Sequence, residues 1–381
     1  MKTGRYIVTN LSGESVQAFV PNPLPPKPPI TMDSKLDQLL KEASSSIEKL
    51  ELASKLVPSR EWLLYGFIRK EAVITSQIEG TQSTLIDLLS VDENQNEDKD
   101  LEEVCNYIRA LDYAWNQVNS KQGLPLSLRL IKETHKRLMK GTRGKTKNPG
   151  EFRTTQNWIG GTRPGTAAFV PPPPKEMMVC LDQFEKYLHA DSSIDPLINI
   201  AYIHVHFETI HPFLDGNGRI GRLLIALLLR VYGVLNSPLL YLSLYFKKNR
   251  QQYYELLNKV RTEGAWLEWV NFFLEGVNFV SKDVIEASEK LQKLSNKNRE
   301  KLLKNPKATV ASLRLLEELP KKPIISISQA VDILELTKPP VTKAINLLIE
   351  AKILTETTGK KKDRLYRYKD YLEILAEGTE L

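Results

Sequence analysis

Two strongly apolar runs, joined by one polar segment, constrain the fold of this chain more than any other feature. The runs cover residues 197–210 and 220–234, and the polar segment is His211–Arg222, with the sequence HPFLDGNGRIGR. Each run is longer than an ordinary strand and apolar on nearly all sides, which predicts a buried helix. The polar segment is therefore predicted to form the turn between two core helices.

The glycine-rich corner of this turn is predicted to bind an anion. Gly216, Asn217 and Gly218 can leave several backbone N–H groups free at the start of the second helix, where the helix dipole is positive. Arg219 and Arg222 lie three residues apart on one helical face, so both are predicted to reach the same anion. Two arginines beside a nest of N–H groups favour a polyphosphate.

Two titratable side chains complete the segment. Asp215 offers a hard carboxylate oxygen that suits Mg2+, a cation that keeps most of its waters and bridges phosphates. His211, held at the start of the loop by the following proline, can accept a proton near neutral pH. This combination predicts phosphoryl or nucleotidyl transfer to a hydroxyl group.

The segment resembles the HPFx(D/E)GNGRxxR signature of Fic-domain proteins, and every specified position is present. The resemblance implies an adenylyltransferase that uses ATP and Mg2+ to modify a target protein. It implies that His211 is the general base for a Ser, Thr or Tyr hydroxyl and that Asp215 is the magnesium ligand. Asn217 and the amides of Gly216 and Gly218 would form the phosphate cradle.

The resemblance assigns further residues to the nucleotide. It implies that Arg219 and Arg222 grip the outer phosphates. The related Doc kinases have a lysine where this chain has Gly218, so the resemblance favours AMP transfer over phosphorylation. In Fic relatives a tyrosine and a polar residue two turns later flank the adenine, and these positions correspond to Tyr254 and Arg261.

A second segment, Thr75–Gly80 with the sequence TSQIEG, resembles the inhibitory motif (S/T)xxxE(G/N) that some Fic proteins carry before the catalytic core. Thr75 and Glu79 share a helical face, and Gly80 is typical of a helix end. The resemblance implies that Glu79 pairs with Arg222 and occupies the space of the γ-phosphate. A carboxylate there competes with phosphate for the same donors, so the resting enzyme is expected to be weakly active.

Other activities stay open at this point. Some inhibited Fic enzymes resemble two-way catalysts whose glutamate helps to remove AMP. Transfer of another nucleotide or of phosphocholine is a further alternative. A regulator that binds DNA and uses its Fic domain as a sensor is the last.

The length of 381 residues predicts two or three structural units, mainly α-helical. We predict an N-terminal extension with the inhibitory helix (1–110), a Fic-type helical bundle (111–280), a connector helix (281–306) and a small winged-helix-like domain (307–381). A β-hairpin is predicted within 157–170, and the resemblance to Fic domains implies that it lies as a flap over the nucleotide site. Such a hairpin could align a target segment by strand addition or only shield the core.

Residues 307–381 are predicted to contain three helices followed by a hairpin, the pattern of a winged helix. From Lys290 onward, 19 Lys and Arg stand against 12 Asp and Glu, so this region carries the whole net charge of +7. DNA binding is one prediction for the region. A protein-binding or homodimer-forming module is the other, because the third helix lacks arginines on its outer face. The side chains expected to point outward are Thr342, Lys343 and Asn346 on the third helix and Lys360, Lys361, Lys362 and Arg364 on the wing.

Patterns that are absent from the sequence predict the localisation and argue against a zinc site or other metal site built from Cys or His. No apolar stretch is long enough to span a bilayer, and the first residues lack a signal-peptide core, so a cytoplasmic protein without membrane contact is expected. Cys105 and Cys180 have no spacing typical of a zinc site and are expected to be core thiols. His204 and His206 are two residues apart on a helix, which favours packing over metal chelation.

Overall fold

The computed structural model of the chain describes residues 3–56, 59–90, 98–141, 145–359 and 364–381. These residues are mostly helical, which confirms the predicted fold class. In chain order the helices are α1 (Ser34–Leu56), α2 (Arg60–Ile78), α3 (Leu85–Ser90), α4 (Lys99–Asn119), α5 (Leu128–Leu138), α6 (Pro174–Leu188), α7 (Pro196–Ile210), α8 (Asn217–Val231), α9 (Ser243–Lys248), α10 (Arg250–Glu263), α11 (Trp266–Leu303), α12 (Val310–Glu318), α13 (Ile327–Leu334), α14 (Lys338–Glu350) and α15 (Lys369–Ala376).

The two apolar runs form α7 and α8, which lie at the centre of the bundle. Nearly every residue of both helices is buried, because other helices cover them on all sides. α2, α4 and α5 pack against α8, whereas α6, α10 and α11 pack against α7. The turn between the two helices is therefore held in place by a continuous apolar core.

An N-terminal β-hairpin is the main element that the sequence analysis missed. Strands β1 (Gly4–Leu11) and β2 (Glu14–Pro21) pair antiparallel around the two-residue turn Ser12-Gly13. Both turn residues have positive φ, as the favoured hairpin turns require. The backbone N–H of Phe19 in β2 donates to the carbonyl of Val170 at 2.9 Å, so the hairpin joins the predicted flap.

The flap itself is smaller than predicted. Its two arms meet in a single antiparallel bridge between Ile159 and Phe169, and a short 3-10 helix (Pro164–Thr166) fills the tip. Glu14 accepts hydrogen bonds from Arg163 Nη1 (3.1 Å) and from the backbone of Gly165 (2.9 Å). The turn of the N-terminal hairpin therefore holds the tip of the flap.

The segment that contains α10 and α11 departs from the predicted unit boundaries. Gly264, with a φ of 74°, separates α10 from α11. α11 then continues to Leu303 and packs along α1. The segment predicted as a separate connector (281–306) is therefore mostly the second half of a long core helix.

Residues 307–381 fold as helix, strand, two helices and a hairpin, followed by α15. Strands β3 (Ile324–Ser326), β4 (Thr355–Glu356) and β5 (Leu365–Arg367) form one sheet in the order β3-β5-β4. The three predicted helices are present as α12, α13 and α14, and Lys343 and Asn346 are exposed on α14. Residues Lys360, Lys361 and Lys362 lie outside the described residues.

The remaining expectations about side chains can be checked directly. Cys105 and Cys180 are buried in the core, as predicted. His204 and His206 are buried inside α7, where His204 hydrogen-bonds the carbonyl of Gly221 and the hydroxyl of Tyr253, both at 3.0 Å. Within the described part of the chain, no helix is long and apolar enough to cross a membrane.

Candidate active site

The polar segment forms a tight turn with two residues in the left-handed region. His211, with a φ of 48° and ψ of 62°, ends α7, and Gly216, with a φ of 77°, precedes α8. α8 begins at Asn217, three residues earlier than predicted, so the backbone N–H groups of 217–219 belong to its first turn. These amides are not needed for hydrogen bonds within the helix, which is the arrangement that binds anions.

His211 is placed to act as a base. Its Nδ1 is buried without a hydrogen-bond partner, so Nε2 is the ring nitrogen open to an incoming hydroxyl. Burial, together with the charges of Arg153 and Arg261, lowers the pKa of His211 to about 3. The imidazole is therefore neutral at physiological pH and can take up a proton.

Arg153 fixes the backbone on which His211 sits, and the sequence analysis did not identify it. Its guanidinium donates from Nε to the carbonyl of His211 at 2.9 Å and from Nη2 to the carbonyl of Pro172 at 2.5 Å. Its own backbone N–H donates to the carbonyl of Pro212 at 2.9 Å. The side chain is only 1% exposed, so this residue ties the turn to the base of the flap inside the core.

The side chain of Asn217 makes its hydrogen bonds within the turn. Its Oδ1 accepts from the backbone N–H of Phe213 at 2.8 Å, and its Nδ2 donates to the Phe213 carbonyl at 2.9 Å. The residue is buried, and both ends of its amide are used by the loop. The side chain of Asn217 therefore closes the turn.

Arg222 and Glu79 form the ion pair that the sequence predicted. Arg222 Nη2 lies 2.6 Å from Glu79 Oε1, and Arg222 also donates to the hydroxyl of Thr75 at 2.7 Å and to its carbonyl at 3.0 Å. A Cβ atom on Gly218 would clash with Glu79 Oε1. The carboxylate of Glu79 thus lies directly against the first turn of α8.

Electrostatics agree with a charged pair. Burial is the largest single influence and acts to raise the pKa of Glu79, but the charge and the hydrogen bond of Arg222, together with smaller contributions from nearby charges, outweigh it, so the pKa lies below the ordinary value. The Arg222 side chain is 2% exposed, whereas that of Glu79 is 35% exposed. The arginine is therefore fixed in the core, and the glutamate covers it from the open side.

Comparison with known families gives the same assignment for this segment. The Fic/DOC family matches residues 125–229, and the Fic/DOC family N-terminal region matches residues 38–116. The chain belongs to the Fic/DOC family. The match includes both the turn at 211–222 and the helix that carries Glu79.

Curated relatives and solved structures extend the comparison. The chain is 34% identical to protein adenylyltransferase Fic of Drosophila grimshawi and 32% identical to that of Drosophila persimilis, over 209 residues, 52% of this chain. The match covers only 39% and 37% of those relatives. A Fic family protein from Desulfovibrio desulfuricans has the same fold, with a TM-score of 0.59 and 19% identity over 90% of this chain and 98% of that one. A Fic-domain signalling protein from Bacteroides thetaiotaomicron has a TM-score of 0.52 and 20% identity over 67% and 97%.

Arg219, the other arginine of the motif in this Fic domain, has different partners from those of Arg222. Arg219 Nη1 lies 3.1 Å from Glu103 on α4, and its Nη2 lies 3.8 Å from the sulfur of Met139. Asp215 Oδ1 is 3.7 Å away. Arg219 is therefore held by α4 and the end of α5, and the prediction that both arginines reach the same anion stays a prediction.

The predicted adenine residues lie on α10. Tyr254 is 43% exposed and packs against the ring of Tyr253. Arg261 is buried, with its guanidinium carbon 3.8 Å from the ring centroid of Phe169 in the flap. The hydroxyl of Thr3, just before β1, donates to the Arg261 carbonyl at 2.5 Å. The flap and the N-terminal hairpin therefore both lie next to Arg261.

The residues of the turn fit magnesium bound together with a polyphosphate. Among the described residues, no group of three or more His, Cys, Asp or Glu side chains could hold a metal by itself. Mg2+ bound to phosphates needs only one or two carboxylates, because phosphate oxygens and waters complete its shell. Asp215 offers such a carboxylate, 47% exposed, with one oxygen accepting from the amide of Gly216 at 2.6 Å.

Proposed function

We propose that this Fic protein transfers AMP from Mg-ATP to a Ser, Thr or Tyr hydroxyl of a target protein. The observation that carries the proposal is the turn itself. It places a neutral imidazole, free helix N-terminal amides and the guanidinium of Arg222 within one short segment. The similarity to proteins named protein adenylyltransferase supports AMP as the transferred group.

His211 accounts for the proton in this reaction. The target hydroxyl attacks the α-phosphorus of ATP while its proton moves to Nε2 of His211. The bond from the α-phosphorus to the oxygen that bridges to the β-phosphate breaks, and pyrophosphate leaves. A positioned base of this kind contributes about 10²- to 10⁴-fold to the rate.

The remaining groups position the phosphates and stabilise their charge. The amides of residues 217–219 and the guanidinium of Arg222 would bind phosphate oxygens, and Asp215 would hold Mg2+. When bound, Mg2+ neutralises phosphate charge and orients the leaving pyrophosphate. Transfer of this type depends mainly on positioning and electrostatic stabilisation.

We further propose that Glu79 restrains the reaction. Its carboxylate pairs with Arg222, the arginine that the terminal phosphate needs. It also places a negative charge beside Gly218, at the start of α8. A phosphate must displace this carboxylate to reach the same donors. Replacing Glu79 therefore opens the site without changing the base.

Mass spectrometry of the Glu79→Gly protein tests the activity. The protein is incubated with Mg2+ and, in separate reactions, with ATP, GTP, UTP and CDP-choline, both alone and with a cell lysate as the source of targets. We expect a mass increase of one AMP group from ATP alone. Transfer from another donor, or none from any, would replace the proposal by one of the alternatives.

A matched variant separates chemistry from binding. Glu79→Gly with His211→Ala should lose transfer by about 10³-fold while retaining ATP binding, because only the proton acceptor is removed. Retained transfer would contradict the role of His211. The unmodified protein, given an AMP-modified target from the first experiment, tests the reverse direction through release of AMP.

A second candidate function, DNA binding, concerns residues 307–381. The order of α12, β3, α13, α14 and the β4–β5 hairpin, with Lys343 exposed on α14, favours it. A mobility shift with duplex DNA should appear at low salt and weaken as salt rises, because phosphate contacts release counterions. Absence of a shift at low salt would favour a protein-binding module.

A further inference from the structure

His135 on α5 is a buried histidine to which the reaction assigns no role. It is fully buried, and both ring nitrogens are engaged. The backbone N–H of Gly150 donates to Nδ1 at 2.9 Å, and Nε2 lies 3.0 Å from the backbone carbonyl of Asp215. An amide can only donate and a carbonyl can only accept, so Nδ1 is unprotonated and Nε2 carries the proton.

The imidazole is therefore held as one neutral tautomer. Burial lowers the pKa of His135 to about 4, in agreement with this assignment. A neutral ring donates to Asp215 without adding a positive charge beside the carboxylate. The contact is thus a hydrogen bond from a neutral donor to the Asp215 carbonyl.

The ring is also fitted closely to the turn. It stacks on Phe213 with a centroid distance of 3.7 Å and an interplanar angle of 8°. A Cβ atom on Gly216 would lie 2.9 Å from the sulfur of Met139 and 3.5 Å from His135 Nε2. The end of α5 therefore lies against Phe213, two residues before Asp215, and against Gly216, the residue after it, and also contacts the Asp215 carbonyl.

The backbone carbonyl and the carboxylate of Asp215 lie in different surroundings. Its backbone carbonyl faces the core and is held by His135, while its carboxylate is 47% exposed at the start of α8. We infer that His135 is a positioning residue that orients Asp215 for Mg2+ bound with the nucleotide. The inference rests on the proposed function, in which Asp215 holds the metal.

Two substitutions of similar size distinguish positioning from packing. The side-chain nitrogen of His135→Gln extends as far as Nε2 and can still donate to the Asp215 carbonyl. His135→Asn reaches only as far as Nδ1, so it can accept from Gly150 but leaves Asp215 without its donor. The same pair at His204, a buried histidine that bonds the Gly221 carbonyl instead, is the control.

The readout is ATP binding without turnover, in the protein that carries Glu79→Gly and His211→Ala. Calorimetric titrations with ATP across a range of Mg2+ concentrations give the Mg2+ midpoint at which binding tightens. Loss of a residue that orients a metal ligand typically weakens metal affinity by about 10-fold or more. We expect His135→Asn to raise the Mg2+ midpoint about 10-fold, with His135→Gln and both His204 variants remaining within about 3-fold of the parent.

Each outcome is decisive. Equal midpoints for His135→Asn and His135→Gln would overturn the inference, as would a shift of the same size in the His204 variants. Failure of both His135 variants to fold, seen as loss of the thermal transition, would make the residue purely structural. If the parent protein itself binds no ATP, or binds it independently of Mg2+, the proposed function fails instead.

Discussion

Arg219 and Arg222 leave the same turn of α8, but they end against different helices. Arg222 contacts Thr75 and Glu79 at the end of α2, whereas Arg219 contacts Glu103 on α4. Both arginines are buried, and both have a carboxylate partner. The sequence motif gives the two arginines equivalent positions, whereas in the structure they have different partners.

The difference lies in where each carboxylate sits. Glu79 Oε1 lies so close to Gly218 that a Cβ atom there would clash with it, which puts this carboxylate against the first turn of α8. Glu103 pairs with the arginine that lies beside Met139, where α4 and α5 meet α8. The α2 side of the turn can therefore block a phosphate, while the α4 and α5 side supports the turn from within the core.

Removing the two carboxylates separately is the strongest test of this contrast. Glu79→Ala should raise the rate of AMP transfer about 10- to 100-fold, because a charge-assisted hydrogen bond of roughly 1.5 to 3 kcal/mol no longer competes with the phosphate. Glu103→Ala should not raise the rate, and loss of support for Arg219 should lower it a few-fold. Initial rates of AMP incorporation at fixed ATP give the comparison.

An equal rise in both variants would show that the two ion pairs restrain the site alike. No rise in Glu79→Ala would remove the inhibitory role of Glu79. The far-ultraviolet circular dichroism of both proteins serves as the control for folding, since each substitution leaves a buried arginine without its carboxylate.

The features that the sequence predicted correctly are local ones. α7, α8 and the turn between them follow from two apolar runs and a glycine corner within a few residues. The pair between Glu79 and Arg222 spans 143 positions, and only the resemblance of TSQIEG to a known inhibitory motif brought the two together. The distinct partner of Arg219 could not be predicted, because Glu103 is one of several carboxylates on an ordinary amphipathic helix.

The sequence gives even less indication of the residues that hold the turn in place. His135 looks like any histidine on an amphipathic helix, and its bond to Asp215 crosses 80 positions. Arg153 looks like a surface arginine in a loop until its acceptors are known. The β1–β2 hairpin did have a signal, a Ser-Gly turn between two runs with alternating apolar residues, and the sequence analysis overlooked it.

Arg153 tests the contrast between residues that support the turn and residues that restrain the reaction, because it holds the backbone of His211. Arg153→Lys keeps the charge but loses the planar set of donors to the carbonyls of His211 and Pro172. We expect kcat for AMP transfer to fall about 10-fold, because a small displacement of the base is costly. The measurement is the pH profile of kcat from pH 5 to 8, in the Glu79→Gly background.

The shape of that profile separates charge from position. The positive charge of Arg153 helps to keep the pKa of His211 low, so the lysine variant should show the same flat profile at a lower level. Arg153→Gln removes the charge, which raises the pKa of His211 and should move the acid limb of the profile to a higher pH than in the lysine variant. A lysine variant with unchanged kcat would contradict the positioning role.

The smallest effect is expected at Gln77, in the last turn of α2, where the C-terminal tail meets the inhibitory helix. Gln77 Nε2 donates to the carbonyl of Thr379 at 2.9 Å and to that of Ser83 at 3.0 Å, and Lys247 Nζ donates to Gln77 Oε1 at 2.7 Å. Lys247 also donates to the carbonyl of Glu380. The tail after α15 therefore fastens α2 two residues before Glu79.

Gln77→Ala should loosen that end of α2 and weaken the hold of Glu79 on Arg222. Because each net hydrogen bond contributes only about 0.5 to 1.5 kcal/mol, and part of the loss falls on the tail itself, we expect a 2- to 3-fold rise in AMP transfer. The same substitution in the Glu79→Gly background should change nothing, since the effect acts only through Glu79. A rise of equal size in both backgrounds would show that Gln77 affects the turn directly, and the α2 side would then support the site as well as restrain it.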